Sequence, residues 1–290
     1  MPTVELPIGP LDYRVVGPTA AGAPVAVFVH GFLVNSSLWD PVAEQLAAEG
    51  VRCILPDWPL GAHSRPANPD ADLSPNAVAR AVVGLLDVLN LRDVVLVGND
   101  TGGGVCQLTL RGDTGRVRGL VLTNCDAFEQ FPPRYFVPLF ILARSRLAVW
   151  MLAQLTRLRA VRHSPLGFGP LLNRPRSATL TRGWIDPLLD SADIRHDVTR
   201  FAQGMQRSEL VDAGTWLGQF EGPVRLVWGT RDKHFTIELG RRLRNAFRLA
   251  ELEEIDDATT FVSIDRPDAV VGAVRDVFAV SPASGRSEMP

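Results

Sequence analysis

Lysine is almost missing from this sequence: Lys233 is the only one among 30 basic residues. Arginine carries nearly all the positive charge, and with so much alanine and valine this reads as a genomic composition bias. Cysteine is scarce too. Cys53, Cys106 and Cys125 lie far apart in apolar runs. Three dispersed thiols exclude a disulfide frame and a zinc site, and suit a reducing compartment. A formal net charge of -2 excludes the basic footprint of a nucleic-acid binder. Met1 to Leu6 holds neither a basic region nor an apolar run, so no secretory leader is expected and the location expected is cytoplasmic. No uninterrupted apolar run is long enough to cross a bilayer, so no integral membrane segment is expected. The most hydrophobic stretch, Leu139 to Leu155, is broken by Arg144 and Arg146; it reads as one helix of a cap, with a membrane-surface role as the lesser alternative. No metal-ligand cluster or complete cofactor fingerprint is visible, so no cofactor is expected. A homodimer is compatible with the composition.

Apolar residues make up 46% of the chain, ample for a buried sheet, and the length suits one α/β domain with an insertion. Val4 to Gly17 reads as two short strands around a Gly-Pro turn. Pro24 to His30, Val51 to Pro56, Asp93 to Gly98, Gly119 to Thr123 and Val224 to Gly229 are short apolar runs bounded by turn residues, and read as strands; Ala250 to Ile255 reads as a further strand. Helices are expected at Ser37 to Leu46, after the Ser74 cap with Pro75 at its first position, at Gly102 to Leu110, Ile237 to Phe247 and Asp268 to Val280. Such alternation predicts a mostly parallel sheet flanked by helices. It lapses between residues 126 and 217, a Pro-, Arg- and Leu-rich stretch without strand signals. The expected organisation is a core of residues 1–125 and 218–280, a helical cap at 126–217, and a disordered polar tail at 281–290.

Gly98-Asn99-Asp100-Thr101-Gly102-Gly103 joins the clearest strand to a helix. Small residues two positions either side of a central reactive group are what a sharp, strained strand-to-helix turn requires. The turn lifts the Asp100 side chain above the sheet edge, and the N-terminus of the following helix favours a carboxylate there. Two plainer explanations compete: Asp100 as a helix N-cap, and the glycines as a nucleotide-phosphate loop. Phosphate loops of that kind normally follow the first strand, whereas several strands precede this one. His30-Gly31-Phe32, some seventy residues earlier, supplies a second signal. The backbone N–H groups of Phe32 and Thr101 would together form an oxyanion hole.

With HGF at 30–32, GNDTGG at 98–103, WGTRD at 228–232 and FVSIDRP at 261–267, the chain resembles the α/β-hydrolases. It looks most like their aspartate-nucleophile branch, the epoxide hydrolases and haloalkane dehalogenases, over roughly residues 10–280. The resemblance implies an α/β-hydrolase fold in which Asp100 attacks carbon and forms an alkyl ester. A histidine oriented by an acid would then activate water. It places Asp232 in the acid position, with Asp126 as a second candidate.

The histidine position itself holds Thr260, and a threonine hydroxyl is no base near neutral pH. Losing a central member of a catalytic unit costs up to ~10⁶ in kcat; from a typical ~10 s⁻¹ that leaves about one turnover per day. Either another group stands in, or the ester step is not used, or the protein does not turn over. Candidate stand-ins are His63 and His234, then His163 and His196 in the expected cap. Asp126 or Asp232, raised in pKa by burial, could also act on water directly. Phe32 and Thr101 lack the side-chain N–H donors that dehalogenases place there, which counts against that chemistry. Epoxide hydrolases protonate the epoxide oxygen with cap tyrosines, and Tyr135 is the one candidate here. Trp150, Trp184 and Trp216 suggest an apolar pocket or cap packing.

Three functions follow. The leading one is hydrolysis of a small to medium apolar substrate, an epoxide first of all, through Asp100. The second is non-hydrolytic acid–base catalysis of a natural-product-like substrate, as an isomerase, lyase or cyclase. The third is ligand binding on a degenerate hydrolase scaffold.

Overall fold

The computed structural model describes residues 1–112, 114–165, 167–173 and 178–280. The expected tail at 281–290 lies outside the described residues. Eight strands form one sheet: β1 (Thr3–Leu6), β2 (Gly9–Val16), β3 (Val25–Val29), β4 (Arg52–Pro56), β5 (Val94–Asp100), β6 (Val117–Cys125), β7 (Val224–Gly229) and β8 (Ala250–Ile255). Their order is β1-β2-β4-β3-β5-β6-β7-β8. The β1–β2 and β2–β4 pairs are antiparallel and the rest parallel. All five residues of β3 are buried, because helices cover both faces of the sheet.

On one face pack α1 (Asp40–Ala48), preceded by a 3-10 turn at Ser36–Trp39, and later α11 (Val262–Asp265) and α12 (Pro267–Ala279). On the other lie α2 (Pro75–Val88), α3 (Thr101–Thr109) and α10 (Ile237–Ala246). Ser74 caps α2 through the N–H of Ala77, with Pro75 at the first turn as the sequence suggests.

Between β6 and β7 come α4 (Val137–Ala143), α5 (Arg146–Thr156), α6 (Arg159–Arg162), α7 (Ala178–Asp190), α8 (Ala192–Gly204) and α9 (Ser208–Ala213). The stretch read as one helix from Leu139 to Leu155 is two. The chain bends by 115° between them, and Ser145 starts α5 by accepting from the N–H of Ala148. The insertion is tied to the core at separate points. Trp184 of α7 is fully buried, donates from Nε1 to Ser37 Oγ at 3.0 Å, and meets Phe168 and Phe261 edge-on. Asp197 of α8 is bound by the loop after β4, as described below.

Candidate active site

The sheet places the site. The ladder between β5 and β6 shifts register after Asn99, pairing Asp100 with Cys125. Asp126 therefore emerges beside Asp100 at the carboxyl edge, where ligands of parallel sheets bind. Asp100 has φ 53° and ψ -132°, a left-handed conformation costly for a non-glycine residue. Its side chain makes no capping bond to α3, so the N-cap explanation fails. Close packing explains the glycines. A Cβ on Gly102 would strike the Val29 and His30 carbonyls, and one on Gly31 would strike the Asp100 carboxylate.

Phe32 N donates to Asp100 Oδ2 at 3.1 Å. The Thr101 N–H stabilises the same carboxylate more loosely, outside full hydrogen-bond geometry. Burial nevertheless pushes Asp100 up to about 7, against those two donors and with help from the Asp232 charge. Asp126 is 1% exposed. Its Oδ2 accepts from Thr101 Oγ1 at 3.1 Å, and its Oδ1 has no partner. Burial, then the Asp100 charge, raise it far above the usual carboxylate range. Of the two, Asp100 has N–H groups to support its ionised form, whereas Asp126 has one hydroxyl and is raised further, so a shared proton favours Asp126.

Asp232 is engaged on both oxygens. Oδ1 accepts from the N–H groups of His234 (2.7 Å) and Phe235 (3.0 Å). Oδ2 accepts from Asn124 Nδ2 (3.0 Å) and Thr260 Oγ1 (2.6 Å). Thr260 thus fills the proton-donating role a histidine would have toward this acid and offers no base in return. Asn124 and Asn99 fix the arrangement: Asn99 Nδ2 donates to Thr260 O at 2.7 Å, and Asn124 Oδ1 accepts from Gly229 N at 2.7 Å. Sequence reasoning missed both asparagines. Their only signal is position, at the ends of two strands that become neighbours in the sheet.

A cavity of about 400 Å³ rises from Asp100, Thr101 and Asp126 into the inserted helices. Its walls are almost wholly apolar; the other polar side chains on it are Tyr135 and Thr156. Phe32 lies under Phe140 and Phe201, with ring centroids 4.5 and 5.6 Å away. No histidine lines the cavity among the described residues.

The histidines expected as stand-ins are placed elsewhere. His63 is buried, accepts from Gly61 N at Nδ1 and donates from Nε2 to Asp197 Oδ2 at 3.2 Å, bridging to α8. His234 is half-buried and stacks on Tyr135 with centroids 4.3 Å apart, behind the cavity wall. His163 bonds Thr181 inside the insertion, and His196 lies on α8; neither reaches the cavity. His30 donates from Nδ1 to Gly31 O and accepts from Trp58 N at Nε2. Burial lowers it to about 4, so it is a neutral structural residue. Tyr135 does reach the cavity, but its hydroxyl donates to Pro165 O at 2.5 Å. None of Trp150, Trp184 and Trp216 lines the cavity. No group of three or more His, Cys, Asp or Glu is placed to hold a metal among the described residues.

Residues 26–273 match the sequence profile of the alpha/beta hydrolase family. The chain is 26% identical to a 2-hydroxy-6-oxononadienedioate/2-hydroxy-6-oxononatrienedioate hydrolase of Dechloromonas aromatica, over 86% of this chain and 85% of that one. It is 27% identical to a cis-3-alkyl-4-alkyloxetan-2-one decarboxylase of Xanthomonas campestris, over 89% of each. Among solved structures, a putative ancestral haloalkane dehalogenase superposes with a TM-score of 0.76 at 20% identity, covering 97% of this chain and all of that one.

Proposed function

Since the chain belongs to the alpha/beta hydrolase family, we propose that it is an enzyme of that family that opens a strained oxygen ring, an epoxide first of all, by a two-carboxylate mechanism. The observation that carries this is the pair on the cavity floor: Asp100 with the Phe32 N–H on its Oδ2, beside a buried Asp126 whose Oδ1 is unpartnered. Asp100 attacks a ring carbon and the C–O bond breaks. The departing oxygen takes the proton of Asp126, and an alkyl ester forms on Asp100.

Asp126, now a carboxylate, takes a proton from water as that water attacks the ester carbonyl. The N–H groups of Phe32 and Thr101 stabilise the tetrahedral oxyanion. Its collapse expels the product alkoxide, which leaves with the hydrogen of the new hydroxyl. Asp100 returns as a carboxylate carrying one oxygen from water, and Asp126 keeps its proton. The acid that becomes the base replaces the histidine, and Asp232 with Thr260 supports the turn. The apolar walls suit an apolar substrate.

The test is a single turnover with an epoxide in heavy-oxygen water. Label should enter the Asp100 carboxylate, read by peptide mass. Asp100→Asn should abolish turnover, and Asp126→Asn should lower kcat about 10²–10⁴-fold. Unchanged turnover in Asp100→Asn would overturn the mechanism.

A second reading drops the water step. Thr260 ties off Asp232, and the oxetanone decarboxylase is named for a four-membered ring. Ring opening followed by loss of carbon dioxide needs no base for water. Carbon dioxide release from an oxetan-2-one, with no label in the protein, would favour it.

A further inference from the structure

We propose that the outer face of α4 and α5 docks on the surface of an anionic phospholipid bilayer. Most helices of a water-facing layer bury one apolar stripe and solvate the other side. α5 does not. Its inner side buries Val149 and Ala153 against α7 and α8, yet its outer side shows Leu147, Trp150, Met151 and Leu155 at helical spacing. Ile141 and Leu142 extend the patch onto α4, and Leu158 onto the turn beyond. A contiguous apolar surface of this kind marks an interaction site.

Charge selects the occupant. From Gln130 to Ile185 the sequence has nine arginines and no acidic residue, in a chain whose net charge is -2. Arg144 and Arg146 sit at the break between the two helices, and Arg157 and Arg159 follow α5; all four are exposed and none pairs with an acid among the described residues. Aromatic and aliphatic side chains between arginines, with no acids, fit the headgroup region of a negatively charged leaflet. A second copy fits worse, because a two-fold pairing of this face brings arginines against arginines. The helices lie in the membrane plane and do not cross it: no single helix among the described residues is long and apolar enough, and the pair is bent by 115°. Tyr135, Leu142 and Leu155 are both exposed and on the cavity wall, so the mouth opens onto this face. Docking does not depend on the chemistry at Asp100.

The test is flotation of the full chain with phosphatidylcholine vesicles, alone or with phosphatidylglycerol added. Binding should require phosphatidylglycerol and weaken with salt. Arg144→Gln with Arg146→Gln should reduce partition about 25-fold, roughly fivefold per arginine. Leu147→Ser with Trp150→Ser should reduce it even at low salt. Both double variants should keep the parent's circular dichroism and melting temperature, since all four side chains are exposed. The proposal fails if the parent floats with neither vesicle, or if the variants float as well as the parent. It also fails if sedimentation shows a dimer that Leu147→Ser with Trp150→Ser dissolves while no vesicle binding is seen.

Discussion

In the proposed mechanism, Asp126 trades stability for reactivity. Its carboxyl group is buried with one hydroxyl donor, and an unpartnered oxygen in that setting costs about 1–3 kcal/mol. In the unfolded chain it ionises near 3.8, whereas the fold keeps it protonated far above that. The unfolded state thus gives up a proton that the folded state retains, so this group's contribution is fully present below 3.8 and is lost as pH rises. Asp126→Asn should therefore raise Tm by about 2–4 °C at pH 8, with the gain shrinking toward pH 4. Thermal scans across that range check both the sign and the trend. Asp100 predicts a rate profile. In the proposed mechanism it must be ionised to attack, and it is pushed up to about 7, so kcat/KM should fall as pH drops below about 7. Part of that rise comes from the Asp232 charge. Asp232→Asn should accordingly move the acid limb to lower pH, read from initial rates over pH 5 to 9.

The elements bring these carboxyls together, and the strand-to-helix turn after β5 is the least forgiving of them. Gly102 lies against the carbonyls of Val29 and His30. Gly102→Ala forces α3 away from β3 and should destabilise the protein by about 1–3 kcal/mol, seen as a lower denaturant midpoint, with loss of turnover as Asp100 shifts. Asp100 at this turn was legible because a strained turn imposes a local pattern of small residues, and the HGF turn pointed to Phe32, whose N–H meets the Asp100 carboxylate. Strands β3 to β7 were legible for a similar reason: short apolar runs between turn residues need no tertiary information, whereas β8, with three glutamates, takes its place by pairing with β7. The break between α4 and α5 was not read. Arg144 and Arg146 interrupted the apolar run, but Ser145 acts as a cap only when the chain turns there, and packing of both helices on α8 decides that.

Across the whole molecule, the insertion is held over the cavity by a few buried polar ties. Asp197 accepts from His63 Nε2 (3.2 Å), Ala67 N (2.8 Å) and Arg200 (3.0 Å), joining α8 to the loop after β4. Asp197→Ala leaves those donors unsatisfied and should cost about 3–5 kcal/mol. Chemical denaturation measures the loss, and limited proteolysis should cut first within residues 130–205. The sequence by itself determined the sheet, its flanking helices and the turn that carries Asp100, because hydrophobic period and turn chemistry are local. Tertiary structure decided which of the candidate acid–base groups reach the cavity. His63 and His234 looked eligible from chain position, yet one is spent on Asp197 and the other on Tyr135. Asp126 was legible as a second candidate for the supporting acid. It became the partner of Asp100 because β6 pairs with β5 in a register that ends at Cys125, and because the inserted helices exclude the water that would otherwise ionise it.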